Sequence, residues 1–131
     1  MKSVHHIQIT VQPDQEAQAR AFYGNVMQLK ILPKPEVLAG RGGFWCELGA
    51  VQIHVGLEDH PREQSKVHIA YEVEDLNLWR ARLEAEGISI KTSIPIPGMD
   101  RFECRDPFGN RMEFLQRHDA HREDEKVPLI F

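Results

Sequence analysis

Between Ser3 and Gln12 the apolar residues Ile7, Ile9 and Val11 alternate with His6, Gln8 and Thr10, a period of two that predicts a strand with one face buried. Pro13 and Asp14 end that strand. From about Asp14 to Met27 the apolar positions Ala19, Phe22, Tyr23, Val26 and Met27 fall at three- and four-residue intervals, which predicts an amphipathic helix with Asp14 as its N-cap. Leu29 to Leu32, Phe44 to Leu48 and Ala50 to Val55 read as three further strands, separated by Pro33 and Pro35 and then by the Gly40-Arg41-Gly42-Gly43 turn. The same order then returns. Val67 to Val73 is a strand, and Asp75 caps a helix that carries Leu76, Trp79 and Leu83 and is closed by Gly87. Ile88 to Ser93, Arg101 to Arg105 and Arg111 to Gln116 complete the set, the last two flanking Asp106-Pro107-Phe108-Gly109, with Pro and Gly where a β-turn favours them.

Two β-α-β-β-β modules, about 3–56 and 66–117, thus form a single α+β domain over 1–118, followed by a tail at 119–131. A period near 60 residues is an internal duplication, since two units are too few for an open solenoid, and two curved sheets facing each other suit it. A chain of 131 residues has room for one such core and no second full domain. The formal charge of -4, with 41% hydrophobic and 27% charged residues, argues against nucleic acid or an anionic membrane and for small molecules or other proteins as partners. No apolar h-region opens the chain and no stretch is long enough to span a membrane, so a cytoplasmic protein is expected. Cys46 and Cys104, far apart and each inside a strand pattern, read as reduced packing residues. The tail is highly charged and then ends in Val127-Pro128-Leu129-Ile130-Phe131, an apolar patch expected either to seek burial or to stay flexible.

His6, His54, His68 and Glu113 each lie opposite in parity to the branched and aromatic residues of their own strands, so each is expected to point away from its apolar layer. His6 and His68 are 62 positions apart and His54 and Glu113 59, so the four form two repeat-equivalent pairs. If the modules pair about a pseudo-twofold axis, equivalent positions converge on it and could enclose a metal. Three imidazoles and a carboxylate suit a divalent transition metal (Zn, Ni, Co, Mn or Fe(II)) and not calcium or magnesium. Glu47, on the same face as Trp45, is a second candidate proton carrier, and Trp45 is a candidate pocket floor. Arg101 and Arg111 are candidates to hold a substrate carboxylate or phosphonate. Plainer roles stand beside these: His54 as a cavity-lining hydrogen-bond donor, Glu113 paired to Arg111, Arg101 in a structural ion pair, Glu47 on the surface, Trp45 in the core. His5 is expected on the other face, and His60, His118 and His121 in solvated segments.

The segments His5-His6-Ile7-Gln8-Ile9-Thr10-Val11, Ala21-Phe22-Tyr23-Gly24-Asn25-Val26, His68-Ile69-Ala70-Tyr71-Glu72-Val73 and Asp106-Pro107-Phe108-Gly109-Asn110-Arg111-Met112-Glu113-Phe114 together resemble the vicinal-oxygen-chelate superfamily, the glyoxalase, bleomycin-resistance and dioxygenase group. The resemblance runs from Val4 to about Arg117. It implies a glyoxalase-like, cup-shaped, partly closed mixed-sheet barrel, often completed between two chains, hence a homodimer. It also implies His6, His68 and Glu113 as ligands, with His54 at a fourth position usually held by Glu or Gln in the glyoxalase and epimerase branches. A divalent-metal-dependent lyase or isomerase acting on a small oxygen-chelating substrate is then expected, with Glu113 as general base. The alternatives are a fosfomycin-resistance-like thiol transferase, a metal-free drug- or metabolite-binding protein of the bleomycin-resistance type, and an iron-dependent dioxygenase. A cupin is disfavoured because the usual close His-x-His pair is missing.

Overall fold

The computed structural model describes residues 1–118 of the chain, so the apolar patch at Val127 to Phe131 lies outside the described residues. The chain separates into two compact units, one formed by residues 1–66 with Asp106–Asn110 and the other by 67–105 with the chain from Arg111 onward. This division follows the sequence duplication except at the turn between the last two strands.

In the first unit, β1 (His6–Val11), β2 (Lys30–Leu32), β3 (Phe44–Leu48) and β4 (Val51–Leu57) form a sheet in the order β1-β4-β3-β2. β1 runs parallel to β4, and the remaining pairs are antiparallel. Ile53 and Val55 of β4 are buried with Phe44 and Cys46 of β3 and with Val11, which fixes the apolar face. The alternation anticipated for β1 holds only at its far end. The strand begins at His6 and not at Ser3, and Ile7 is 40% exposed on this edge strand while Val11 is fully buried.

The single helix expected over Asp14 to Met27 is three different windings in series: a 3-10 turn at Pro13–Gln15, α1 at Glu16–Ala21 and a π-helical turn at Phe22–Val26. Asp14 lies inside the first of these and is not the N-cap. Pro13 sets the turn one residue earlier, and Gln12 takes the capping position with its backbone N–H donating to Gln15 Oε1 at 3.1 Å. The wide turn ends with Met27 N–H donating to Phe22 O at 3.0 Å, and it keeps Phe22 and Tyr23, adjacent in sequence, both buried.

The Asp106–Asn110 turn belongs to this unit. Asp106 is buried and accepts from Tyr23 Oη at 2.5 Å, Phe108 N at 2.9 Å, Asn110 N at 2.8 Å and Asn110 Nδ2 at 3.0 Å. Asn110 Nδ2 also donates to Thr10 O at 3.0 Å, and Phe108 meets Phe22 edge to face. Asp-Pro-Phe-Gly-Asn is therefore a structural clasp within this unit, its buried carboxylate satisfied on several sides.

In the second unit, β5 (His68–Glu72), β6 (Lys91–Thr92), β7 (Met99–Arg105) and β8 (Arg111–Arg117) repeat the order as β5-β8-β7-β6, with β5 parallel to β8. α2 (Leu76–Ala85) is capped as expected, Asp75 Oδ1 accepting from Leu78 N at 3.1 Å, and Gly87 closes it at φ 80°. Leu76, Leu83, Tyr71, Phe102, Met112 and Phe114 are buried, and the Phe114 ring stacks on Phe102 and Trp79 at 5.2 and 5.6 Å between centroids. The strand expected over Ile88 to Ser93 shrinks to two residues at the sheet edge. Cys46 and Cys104 are buried, and burial pushes the Cys46 thiol up to about 11. Among the described residues no helix is long and apolar enough to cross a membrane.

Candidate functional site

Cross-strand register lays the polar residues of the first sheet out in rows. Lys30, Glu47, Gln52 and His6 occupy one row across β2, β3, β4 and β1, and Leu32, Trp45, His54 and Gln8 the next. Trp45 lies directly opposite His54, and their rings stack at 4.3 Å and 5°. The other face of the His54 ring is covered by His6 at 4.0 Å and 9°. Three rings from three neighbouring strands thus form one continuous stack, and His54 Nε2 lies 2.9 Å from Gln52 Oε1. Burial first, and then the electrostatic influence of His6, His5 and Lys34, holds His54 below the ordinary histidine pKa, which favours its neutral ring. The stack borders a cavity of about 590 Å³ lined also by Phe44, Leu38, Leu57, Lys34 and Arg41.

His5 was expected on the opposite face, yet it borders the same cavity. It precedes the first residue of β1, so the period-two rule does not govern its direction. Its Nδ1 lies 3.0 Å from Nδ1 of His6, with the two rings edge to face.

The second sheet carries the equivalent rows with different chemistry. Ala70, Glu113, Glu103 and Lys91 align across β5, β8, β7 and β6, and His68, Arg111 and Arg105 form the row beside them. His68 Nε2 lies 3.4 Å from Glu113 Oε1, and Arg101 Nη1 reaches the same oxygen at 3.3 Å. The Arg101 guanidinium also donates from Nε and Nη2 to Ile94 O at 3.0 and 2.8 Å, which ties the loop before β7 to the Glu113 carboxylate. Arg111 does not pair with Glu113. Its Nε donates to Glu103 Oε2 at 3.2 Å, its Nη2 reaches the same oxygen, and Lys91 Nζ approaches Glu103 Oε1 at 3.7 Å. The Arg111 guanidinium holds the Glu103 carboxyl below the usual carboxylate range.

Within the first unit the fold thus gathers His6, His54 and Trp45 on one face and adds His5 and Gln52. Glu47 shares that face, half-exposed, with Lys30 Nζ at 3.9 Å as an ion-pair partner. Within the second unit it gathers His68, Glu113 and Arg101 and commits Arg111 to Glu103. Gln52, Glu103 and Arg105 were not singled out in the sequence. They lie at the repeat positions of Arg111, Trp45 and Glu47, and the duplication offset that paired the histidines was the signal available to find them.

A model of the glyoxalase/bleomycin resistance protein/dioxygenase superfamily matches residues 3–114. The chain belongs to this superfamily. Its α+β fold of two β-α-β-β-β modules is the glyoxalase-like fold. A crystal structure of a glyoxalase family protein from Bacillus anthracis is similar to it, with 34% identity and a TM-score of 0.81 over 90% of this chain and 97% of that one. The fosfomycin resistance protein of Listeria monocytogenes, crystallised with Mn(II) and sulfate, shares the fold with 17% identity and a TM-score of 0.74 over 93% and 95% of the two chains. An antibiotic-binding protein from a Streptomyces species shares it with 17% identity and a TM-score of 0.70, over 90% and 98%. No match was found among the curated proteins.

Proposed function

We propose that this member of the superfamily is a divalent-metal-dependent, glyoxalase-like lyase or isomerase acting on a small substrate that chelates the metal through oxygens. The observation that carries the reading is the His68–Glu113 pair. Two donors each about 2.1 Å from one tetrahedral ion lie roughly 3.4 Å apart, which is the Nε2 to Oε1 separation found here. His6 supplies the repeat-equivalent imidazole, and His54, whose Nε2 is beside Gln52, offers Nδ1 as a fourth donor. Among the described residues, no three His, Cys, Asp or Glu side chains are gathered so as to hold one ion, and the proposed ligand set rests on repeat equivalence and on the resemblance to the superfamily. The donor set of nitrogen and carboxylate oxygen suits Zn, Ni, Co, Mn or Fe(II).

A bound ion of this kind would polarise the substrate oxygens and acidify the adjacent C–H. The chain's own residues supply the rest. Glu113 takes the proton, its carboxylate held in place by Arg101 and His68. Glu47 is the second carboxylate in position to carry one, separated from His6 along its row only by Gln52. Arg101 ties the loop at Ile94 to the Glu113 carboxylate, and in the first unit the Trp45 ring borders the cavity beside His54.

A homodimer in the cytoplasm belongs to the same reading. The edge strand β1, with Ile7 40% exposed and Val4 just before it 60% exposed, is the surface that supports a second copy. A second reading, a metal-free protein that binds a small drug or metabolite, is favoured by one feature: the Trp45–His54–His6 stack offers flat aromatic surface beside a cavity of about 590 Å³. A fosfomycin-resistance-like thiol transferase would use the same three ligands.

Elemental analysis of untagged protein, before and after His6→Ala, separates enzyme from binder. One ion per chain, lost in the variant, is expected, and protein that never carries metal would favour the binder. A panel of a thiol hemiacetal, a coenzyme A thioester epimer and an epoxide phosphonate then separates the enzyme classes, because each demands activation of a different atom.

A further inference from the structure

We propose that the cavity of the first unit binds a small aromatic acid, its ring against the apolar part of the lining and its anionic group at the Lys34 and Arg41 side chains. The cavity, about 590 Å³, is of a size that takes one small ligand. Its lining includes Lys34 and Arg41 and, among the described residues, no Asp or Glu.

One segment supplies both cations. The connection from β2 to β3 passes Lys34, winds into a 3-10 turn at Glu36–Arg41 and ends at Gly42 and Gly43, both in the left-handed region at φ 74° and 77°. A Cβ added at Gly43 would stand 2.3 Å from Val55 O, so glycine is what lets this turn lie against β4. Lys34 Nζ donates to Gly42 O at 2.6 Å, which holds the ammonium beside the turn and leaves two of its three N–H groups for a ligand. Arg41, immediately before Gly42, is exposed.

Among the described residues neither cation is within ion-pair distance of a carboxylate. Glu16 Oε2 comes near the turn, 3.9 Å from where a Cβ of Gly42 would stand, and offsets at most one of the two charges. Lys30, by contrast, has Glu47 as its partner on the same sheet. An ammonium and a guanidinium brought to one cavity without an acid suit a carboxylate, sulfonate or phosphoryl group.

The rest of the lining suits a flat ring. Leu38, Phe44 and Leu57 are apolar, and Trp45 brings an aromatic ring to the same cavity. Gln8 Nε2 lies 2.8 Å from where a Cβ of Gly56 would stand, so its amide covers bare backbone and adds a neutral donor. His6 and His54 border this cavity too. On the function proposed above, on which this one step rests, the aromatic acid is therefore the substrate class, whereas its binding does not require a metal.

The test is a titration of the full-length, untagged protein followed by amide chemical shifts, with four probes: 2-naphthoate, naphthalene-2-sulfonate, neutral 2-naphthamide and acetate. Both aromatic acids should give saturable shifts centred on residues 34–45 and 54–57 and should bind more tightly than the amide or acetate, and the stronger of the two identifies the preferred anionic group. Lys34→Gln and Arg41→Gln should each weaken the acids by roughly three- to tenfold, the effect of one charge-assisted contact at a partly exposed site. Neither should change the affinity for 2-naphthamide, whereas a merely structural role would weaken every probe alike, and Lys34→Arg should restore binding of the acids. The sulfonate is a poor metal ligand, so it binds whether or not the protein carries an ion, and its failure is separate from a failure of the metal reading. Acids bound no more tightly than the amide or acetate, or equally by the parent and both glutamine variants, would overturn the proposal.

Discussion

Position for position, the polar face of the first sheet carries Leu32, Trp45, Glu47, Gln52 and His54 where that of the second carries Lys91, Glu103, Arg105, Arg111 and Glu113. The strand order and the parallel and antiparallel pairings are the same. On the first lattice the side chains organise as stacked rings, with the hydrogen bond between Gln52 and His54 fixing the central one. On the second they organise as polar pairs, each carboxylate shared by basic side chains from neighbouring strands. A backbone repeat thus fixes where side chains stand and leaves open how they interact. Ring stacking depends little on salt, whereas an ion-pair face is screened by it.

The largest expected effect breaks the symmetry at its functional end. Glu113→Gln keeps the shape of the side chain but cannot take a proton, and it should lower turnover of the accepted substrate by roughly 10²–10⁴-fold, measured at saturating metal. His54→Gln, at the equivalent position, should retain far more activity, and a larger loss there would reverse the roles assigned to the two faces.

Next come the two cores. Phe44 and Phe114 are each about 1% exposed, one beneath each sheet. Truncation to alanine should cost about 3–5 kcal/mol at either position, read by denaturant unfolding. A loss in one sheet several-fold larger than in the other would show that the modules do not share the load equally.

Acid should separate the faces by pH. His54 is held below its ordinary value of 6.5 by burial first and then by the electrostatic influence of its neighbours, so the stability tied to its neutral ring is complete above 6.5 and is lost as pH falls toward the depressed folded value. Glu103 is held below its ordinary 4.5 chiefly by Arg111, so its contribution is complete above 4.5 and is lost as pH falls through its depressed folded value. Chelator-treated protein should therefore lose stability in two windows. His54→Gln should remove only the upper one, and Arg111→Gln should reduce the lower one. A single window unaffected by either substitution would contradict these assignments.

The smallest effect is expected at Lys30→Ala. Its ion pair with Glu47 is long and exposed, and its loss should change stability by less than about 0.5 kcal/mol. A larger loss would mean that Glu47 is anchored more firmly than a proton carrier should be.

Much of this could be read from the chain. Strict alternation in β4 and β8 placed Ile53, Val55, Met112 and Phe114 in the core and turned Glu113 away from it, and Asp75 and Gly87 marked both ends of α2. The misreadings have local causes. Alternation was carried one residue past the start of β1 to give His5 a face, because nothing in the sequence says where a strand's pleat begins. Three- and four-residue spacing does not distinguish α from π winding, so the turn at Phe22–Val26 looked like plain helix. The choice of Glu103 over Glu113 as the partner of Arg111 depends on neighbouring strands and side-chain reach, which one strand's pattern does not contain.

The most direct measurement is metal stoichiometry in untagged protein by mass spectrometry under native conditions, for the parent chain, His6→Ala and His68→Ala, each confirmed folded by circular dichroism. One divalent ion per chain in the parent, absent from both variants, is expected. An ion retained at full occupancy in either variant would contradict it.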